Sequence, residues 1–287
     1  MTQTPKISRR SQVTRGKTSI IIANVLLALI FLMPLYWTFI SSLKDKVEIY
    51  ATPPTLVPQA ASWDNYVRLF TTLNGAMVGY LRNSLVVDGC TIVAVAVIST
   101  LAGFAFSRLE LFAKKLWMAL ILFTMMVPFQ ALMVPLYNTM SQLKLLNSLA
   151  CMVLIYTTYQ TPFCVYMMKN SFDMIPKAMQ EAAHLDGAGS FDIFRRIYLP
   201  LAMPGLVTAI VYTAYTTWND YLIALTFGGT NWKTFNVGIA DMALQPESVL
   251  DWGAMTAGSI VSLLPIMILF LCLQKYFVKG MMSGAVK

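Results

Sequence analysis

Charge is scarce in this chain of 287 residues: 12% of its side chains are Asp, Glu, Lys or Arg, where an ordinary soluble domain carries about 25%. With 57% hydrophobic residues gathered into long blocks, that shortage excludes a soluble globular surface, a disordered chain and a coiled coil. Histidine is almost missing. The single His184 leaves no H-E-x-x-H and no Cys/His metal set, and no G-x-S-x-G occurs, so the usual metal and nucleophile motifs are absent. The cysteines, Cys90, Cys151, Cys164 and Cys272, form no C-x-x-C pair and lie in apolar stretches, which excludes a disulfide scaffold and leaves them as small packing residues. Gly16-Lys17-Thr18 looks like the end of a P-loop, but Ser11 stands where that motif needs its first glycine, and a basic tail stands where it needs a strand.

What is present is apolar length. Six stretches free of charge run over 18–43, 89–107, 116–143, 145–168, 197–219 and 252–274. Each approaches or exceeds the roughly 20 helical residues that cross a hydrocarbon core of about 30 Å. Continuous apolar runs such as Ile20 to Leu32 argue for helices, because barrel strands would alternate polar and apolar. The expected fold class is all-α, a polytopic membrane protein with spans near 19–41, 84–106, 116–137, 147–168, 204–226 and 254–275. These spans form one transmembrane domain over 19–277, between an N-terminal tail at 1–18 and a C-terminal tail at 278–287. Pro34, Pro128, Pro135, Pro162 and Pro265 fall inside the spans and read as packing kinks.

Charge bias orients the chain. Residues 1–17 hold Lys6, Arg9, Arg10, Arg15 and Lys17 with no acid, so the N-terminus is expected in the cytoplasm, and six crossings return the C-terminus there. This topology places 15 Lys/Arg and 5 Asp/Glu inside against 6 and 6 outside, with Asp88 and Asp220 in the spans, so the net charge of +8 is positive-inside bias and needs no nucleic-acid partner. The first apolar run is too long for a signal peptide and lacks a small-x-small site before Lys44, so it reads as a retained helix. Asp88 follows Arg82 closely and is expected near a helix end. Asp220 lies sixteen residues into the fifth span, about 24 Å along it, toward the outer interface. With Trp218, Asn219 and Tyr221 it suits either an interfacial anchor or a lining of the solute path. No chain of acids suggests proton coupling, so the energy for transport is expected from another polypeptide.

One long polar segment, 169–200, lies on the inner side. Pro176 suits the first turn of a helix, Lys177 to Leu185 follow with good helix formers, and Gly187 and Gly189 stop them. A second short helix is expected from Ser190, with Asp192 early and Arg195 and Arg196 late, to end at Pro200. Ala182, Ala183, Leu185, Phe191, Phe194 and Ile197 are more apolar surface than such a hairpin can bury alone, which points to a docking surface.

Glu181-Ala182-Ala183, then Asp186-Gly187-Ala188, then nine residues between Gly187 and Ile197, then Leu199-Pro200, resembles the EAA loop of ABC-importer permeases. Further matches narrow the resemblance: Pro34-Leu35-Tyr36 with Ser41-Ser42-Leu43-Lys44, Asn65-Tyr66, Asn83-Ser84, Phe104-Ala105-Phe106-Ser107-Arg108, Trp218-Asn219-Asp220 and the tail from Gln274 to Gly280 with Gly284 to Lys287. Together they are similar to the smaller permease of the carbohydrate-uptake subclass 1 importers, of the maltose-importer type. Lys275 departs from the arginine frequent in that family, and the chain stops at Lys287 where a glycine often follows.

The resemblance implies half of a translocation path in a bacterial cytoplasmic membrane: a type I importer permease pairing with a homologous permease, two ATPase subunits and an extracytoplasmic solute-binding protein, surrounded by membrane lipid. No cofactor is expected in this chain, with ATP and Mg held by the ATPases, and the chain itself is expected not to be an enzyme. Carried over, Glu181, Ala182, Ala183, Leu185, Asp186, Gly187, Ile197, Leu199 and Pro200 would form the coupling segment, and Lys279, Gly280, Gly284 and Lys287 the tail that reaches the ATPase interface. Tyr156, Tyr159, Gln160, Tyr212, Tyr215, Asn219 and Asp220 could line the path, stacking on sugar rings and bonding hydroxyls, or could hold helices together. An oligosaccharide is the first expectation for the solute. A stand-alone secondary transporter or channel is the competing reading. It calls for intramembrane charges or inverted repeats of broken helices, and neither is evident. A membrane-embedded transferase lacks convergent acids or histidines.

Overall fold

A computed structural model describes the backbone over residues 9–244 and 251–285, and side chains over residues 20–244 and 251–275. Every regular element among the described residues is a helix: α1 (Arg9–Leu43), α2 (Lys46–Ile49), α3 (Asp64–Thr71), α4 (Ala76–Arg108), α5 (Lys114–Thr124), α6 (Phe129–Gln142), α7 (Leu149–Asp173), α8 (Lys177–Leu185), α9 (Ser190–Ile193), α10 (Leu199–Leu201), α11 (Met203–Asn219), α12 (Leu222–Phe227), α13 (Phe235–Ala243) and α14 (Trp252–Ala285). Three stretches are long and apolar enough to cross a membrane, Ile20–Leu43, Leu73–Arg108 and Trp252–Lys275. Among the described residues, two bent helix pairs, α5 with α6 and Ser190–Leu201 with α11, raise the number to five if each pair is counted as one span. The 25-residue α7 is not among them; Thr157, Thr158, Gln160 and Thr161 make it polar.

The chain divides into two compact units. The first takes residues 1–69 and 246–260. Within it none of the most apolar stretch of α1 is buried, and Ile20 to Leu35 show their side chains outward, a surface that water would penalise and lipid would not. The end of α1 is tied down by polar groups. Asn65 donates from Nδ2 to the carbonyls of Ser42 (2.8 Å) and Lys44 (2.7 Å), satisfying acceptors that a helix end leaves open. Asp251 accepts from Lys46 (3.4 Å) and Arg68 (3.1 Å) and caps the Ala254 N–H at the head of α14. Gly253 permits this closeness, since a Cβ there would lie 2.2 Å from Asn65 Oδ1.

The second unit, residues 70–245 and 261–287, is organised around α4. From Ser84 the buried residues of α4 recur every three or four positions, through Val87, Thr91, Val95, Ser99 and Gly103, with Met77 two turns earlier, which puts mostly small and weakly polar groups along one stripe. In lipid such a stripe lets backbones approach and packing supplies the attraction. α7 uses it: a Cβ on Gly103 would lie 2.6 Å from Met168 Cβ and 2.9 Å from the Lys169 nitrogen. One turn further along α7, a Cβ on Gly205 of α11 would lie 2.0 Å from Ser171 Oγ.

Two expectations from the sequence are corrected here. The stretch 116–137 is not one helix. It breaks after Thr124, and α6 leaves α5 at 94°. Pro128 stands at the break with φ −65° and ψ 134°; it has no N–H to continue the ladder, and it drives Val127 away from helical backbone. Nor does Pro200 end its helix. The chain passes through a π-turn over Phe194–Tyr198, with the Leu199 N–H paired to the Phe194 carbonyl five residues back, and carries Pro200 inside α10. The 72° bend falls at Ala202 instead, just before Pro204.

Candidate functional site

The segment 169–200 folds as an exposed cap on a buried aromatic seat. α8 stops as its sequence directs. Gly187 has φ +80°, its N–H bonds the His184 carbonyl (3.0 Å), and the Ala188 N–H reaches the Ala183 carbonyl (2.9 Å). This pair of bonds is the Schellman closure, in which glycine occupies the left-handed position that a Cβ disfavours. The reversal brings α9 back beneath α8. Ala183, Ile193, Phe194 and Tyr198 are buried with Met168, Phe172, Ile175 and Ala202, while Ile197, Leu199 and Ala188 pack at their edge.

The apolar residues expected to dock on a partner therefore separate into two sets. Ala183 and Phe194 belong to the seat, and Ile197 lies half-buried beside it. Ala182, Leu185 and Phe191 face outward with Met179, Leu185 at 90% exposure and Phe191 at 69%. Glu181, Asp186, Gly187 and Pro200 are exposed as well. Asp186, Gly187, Asp192, Ile193, Arg196 and Ile197 line a concavity of about 400 Å³ between the two short helices. Arg196 bridges Asp192 across one turn at 3.2 Å.

Sequence reasoning assigned no role to the residues that hold this cap to the bundle. The Phe104 ring, near the end of α4, lies 5.0 to 5.7 Å from the rings of Phe194, Tyr198 and Phe172. Four positions on, Arg108 sits 4.6 Å over the Tyr198 ring and donates to the carbonyls of Phe172 and Ile175, so one guanidinium closes the end of α7 and grips the π-turn. Tyr198 donates to Gln180 Oε1 (2.9 Å), which ties the π-turn back to α8. Ser107 donates to Asp173 (2.6 Å), and Lys169 bridges the same carboxylate. Partial burial alone would raise the Asp173 pKa, but the bonds from Lys169 and Ser107, with the charges of Lys169 and Arg108, outweigh it and hold the pKa below the ordinary carboxylate value. The signal was in the sequence as Phe104 to Arg108, at the spacing of one helix face, but its partners lie more than sixty residues away.

The solute-path candidates also divide. Tyr156, Gln160 and Asp220 are drawn together between α7 and α11. Tyr156 donates to Asp220 Oδ2 (2.8 Å), Gln160 Nε2 to Thr217 Oγ1 (2.8 Å), and Cys164 Sγ lies 3.7 Å from Thr213 Oγ1. These rungs step along two antiparallel helices, a hydrogen-bonded ladder of the kind that joins helices in lipid. Asp220 Oδ2 also accepts the N–H groups of Ile223 (2.9 Å) and Ala224 (3.2 Å), capping α12 where the fifth expected span breaks. Tyr159, Tyr215 and Asn219 remain exposed, with Asn219 turned back onto the Tyr215 carbonyl (2.9 Å). Tyr159 and Tyr212 line a largely apolar cavity of about 680 Å³ with Phe129, Thr157, Thr161 and Phe163.

Asp88 is not near a helix end. It stands twelve residues beyond Ala76 in a helix of 33, is 8% exposed, and its Oδ1 has no hydrogen-bond partner among the described residues. Asn83 and Ser84 hold the segment after α12: Asn83 donates to the carbonyls of Asn231 (3.0 Å) and Lys233 (3.1 Å), and Ser84 Oγ accepts the Phe235 N–H (2.8 Å). In the expected tail, Lys279, Gly280 and Gly284 lie on the last turns of α14 with side chains outside the described residues, and Lys287 lies outside the described residues altogether.

Among the described residues, a largely apolar, all-helical bundle carries a partly apolar cap on a polar loop. Comparison with known proteins gives the family. Residues 91–283 match the binding-protein-dependent transport system inner membrane component, and the chain belongs to that family. It is 36% identical over 275 residues to the probable ABC transporter permease protein YurM of Bacillus subtilis (strain 168), covering 95% of this chain and 89% of that protein. It is 33% identical to the trehalose transport system permease protein SugB of Mycobacterium tuberculosis (strain CDC 1551 / Oshkosh), covering 89% and 92%. Among solved structures, a chain of a bacterial ABC transporter involved in the import of the acidic polysaccharide alginate shares the fold. The TM-score is 0.79 at 21% identity, over 96% of this chain and all of that one.

Proposed function

We propose that this chain is one of two permeases of an ABC importer for a carbohydrate, an oligosaccharide first, in a bacterial cytoplasmic membrane. Relatives named for trehalose, trehalose/maltose and sulfoquinovosyl glycerol transport support a sugar solute. The chain crosses six times with both termini in the cytoplasm, α7 supplying a crossing that is polar because neighbouring helices shield it. A homologous permease completes the path, an extracytoplasmic binding protein delivers the solute, and two ATPases hold ATP and Mg. Glu181 to Gly187 seat in an ATPase cleft, with Ile197, Leu199 and Pro200 as the connection to α11. Tyr159, Tyr215 and Asn219 offer rings and an amide to the solute. Tyr156, Gln160 and Asp220 hold the wall behind them.

The observation that carries this reading is the outward set Met179, Ala182, Leu185 and Phe191 above a fully packed seat. The fold gains nothing from exposing these side chains, and a partner surface explains them. Closure of an ATPase dimer would displace the cap as a body, and α7 and α11, rooted in the same seat, would follow.

The test is Gly187→Asp. No atom lies within 4 Å of a Cβ built there, so the fold tolerates the side chain, at a cost of about 1 kcal/mol for a left-handed non-glycine residue. The variant is expected to insert normally, to lose co-purified ATPase and to lose solute-stimulated hydrolysis. Wild-type levels of both would remove the assignment of this loop.

A further inference from the structure

The segment between α2 and α3 has a composition unlike the other loops. From Tyr50 to Trp63 it contains no charged residue, holds prolines at 53, 54 and 58, and begins and ends on an aromatic side chain. It does not extend away from α1. The Tyr36 hydroxyl donates to the Leu56 carbonyl at 2.7 Å, and Tyr36 lies seven residues before the end of α1, so the segment descends about 10 Å back along the helix. Its shape is fixed from within. Lys44 Nζ donates to the Thr55 carbonyl, the buried Glu48 carboxylate accepts Thr55 Oγ1 and the Gln59 N–H (3.0 Å), and the Ser62 N–H returns to the Leu43 carbonyl at 2.9 Å. The descending tip carries Leu56 and Val57, 62% and 67% exposed, at the level where α1 shows Leu35, Tyr36 and Phe39 outward.

Depth follows from counting. The charge-free run of α1 opens at Thr18, after Lys17, and eighteen further residues reach Tyr36. At 1.5 Å each that is about 27 Å, close to the full thickness of a hydrocarbon core. The Leu56 carbonyl therefore lies at the outer boundary of the apolar layer, continuous with the lipid-facing surface of α1. Backbone is costly to bring there because each unpaired N–H or C=O costs several kcal/mol in lipid. This segment reduces that cost in two ways. Three of its residues have no N–H, and the carbonyls at its lowest point, those of Thr55 and Leu56, are taken by Lys44 and Tyr36. Tyr50 and Trp63, 49% and 65% exposed, flank the tip as interfacial aromatics do.

We propose that residues 50–63 are a lipid-interface anchor, in which Leu56 and Val57 enter the top of the outer-leaflet acyl chains beside α1 and Tyr50 and Trp63 rest among the headgroups. The anchor fixes the height of α1 in the bilayer, and with it the platform of Asn65, Arg68 and Asp251 at the head of α14. It rests on the topology proposed above, which puts this segment outside.

The test uses the complete importer in vesicles, with the native cysteines of this chain replaced and a single cysteine at Val57→Cys or Ala60→Cys. An environment-sensitive fluorophore at 57 is expected to emit blue-shifted, to be quenched by phosphatidylcholine brominated near the top of the acyl chain, and to be unchanged when solute-loaded binding protein is added. The cysteine at 60 is expected to react with a membrane-impermeant reagent from outside. Water-like, unquenched emission at 57 with outside labelling at 60 would overturn the anchor and leave the topology standing. Emission that shifts only when binding protein docks would give the surface to that partner and overturn the anchor too. Labelling at 60 from inside alone would overturn the topology itself.

Discussion

Arg108 ties the loop 169–200 to the bundle from outside it. Its guanidinium bonds two carbonyls and covers the Tyr198 ring, so Arg108→Ala removes two charge-assisted bonds and a cation–π contact together. The expected loss is about 3 kcal/mol in the closure of the loop on the bundle, or about a hundredfold in exchange rate. Hydrogen exchange over 176–198 reads it, with the rest of the bundle as internal reference. Asp173 gives a second expectation. Its pKa is held down by Lys169, Ser107 and Arg108, so its stabilising contribution is fully present above the unfolded carboxyl value and disappears as pH falls through the lower folded value. Exchange protection at the end of α7 should be flat near neutrality and fall only below about pH 4, and Asp173→Asn should abolish that dependence. At this scale the sequence was legible where chemistry is local. Glu181 to Gly187 could be read because a glycine stop and an apolar periodicity need no distant partner. Asp88 could not: its place was inferred from Arg82, but α4 starts earlier, at Ala76, which carries the acid inward. The ladder Tyr156–Asp220, Gln160–Thr217, Cys164–Thr213 was equally hidden, because it exists only once α7 and α11 lie side by side.

Among the elements, α7 meets two close glycine contacts within one turn, Gly103 of α4 at Met168 and Lys169 and Gly205 of α11 at Ser171. A side chain at Gly103 must move Met168 and the backbone of Lys169, neither of which is free to yield. Gly103→Leu is expected to destabilise the second unit by about 2 kcal/mol. Cys151 and Cys164 are fully buried on α7, so thermal melting followed by a thiol-reactive dye would report the loss directly as a lower transition temperature. Proline shows why the breaks between elements were only half visible. Pro34, Pro135, Pro162 and Pro265 stay inside helices, whereas Pro128 divides one. All five look alike in sequence. What differs is the chain before Pro128, where Met125 to Val127 leave the helix as a turn, and Phe129, just after it, packs into the cluster around Ile155 and Phe227. Pro200 misleads in the opposite direction, because the π-turn shifts the bonding register by one residue and absorbs the missing donor.

For the whole molecule the orientation is the statement on which the rest depends. Single cysteines at Ala60 and Leu185 both sit on exposed positions, so their reactivity reports sidedness and not burial. The cysteine at 60 should label in intact cells, and the one at 185 only after the inner face is opened. The reverse pattern would invert every span. The two units differ in construction as well. In the first, the junction of α1, α3 and α14 is closed by polar groups, Asn65 on carbonyls and Asp251 on Arg68 and Lys46, which break and re-form at modest cost. In the second, the seat beneath α8 and α9 is closed by rings. Phe104, Phe172 and Tyr198 meet edge to face with Phe194 tilted against them, and packed rings neither compress nor slide freely. A linkage of that kind has little backlash. If an ATPase docks on α8 as proposed, a push of an ångström there would not first be spent in taking up slack, so the stroke that reaches α7 and α11 would be set by how far the ATPase moves and hardly at all by the loop that transmits it.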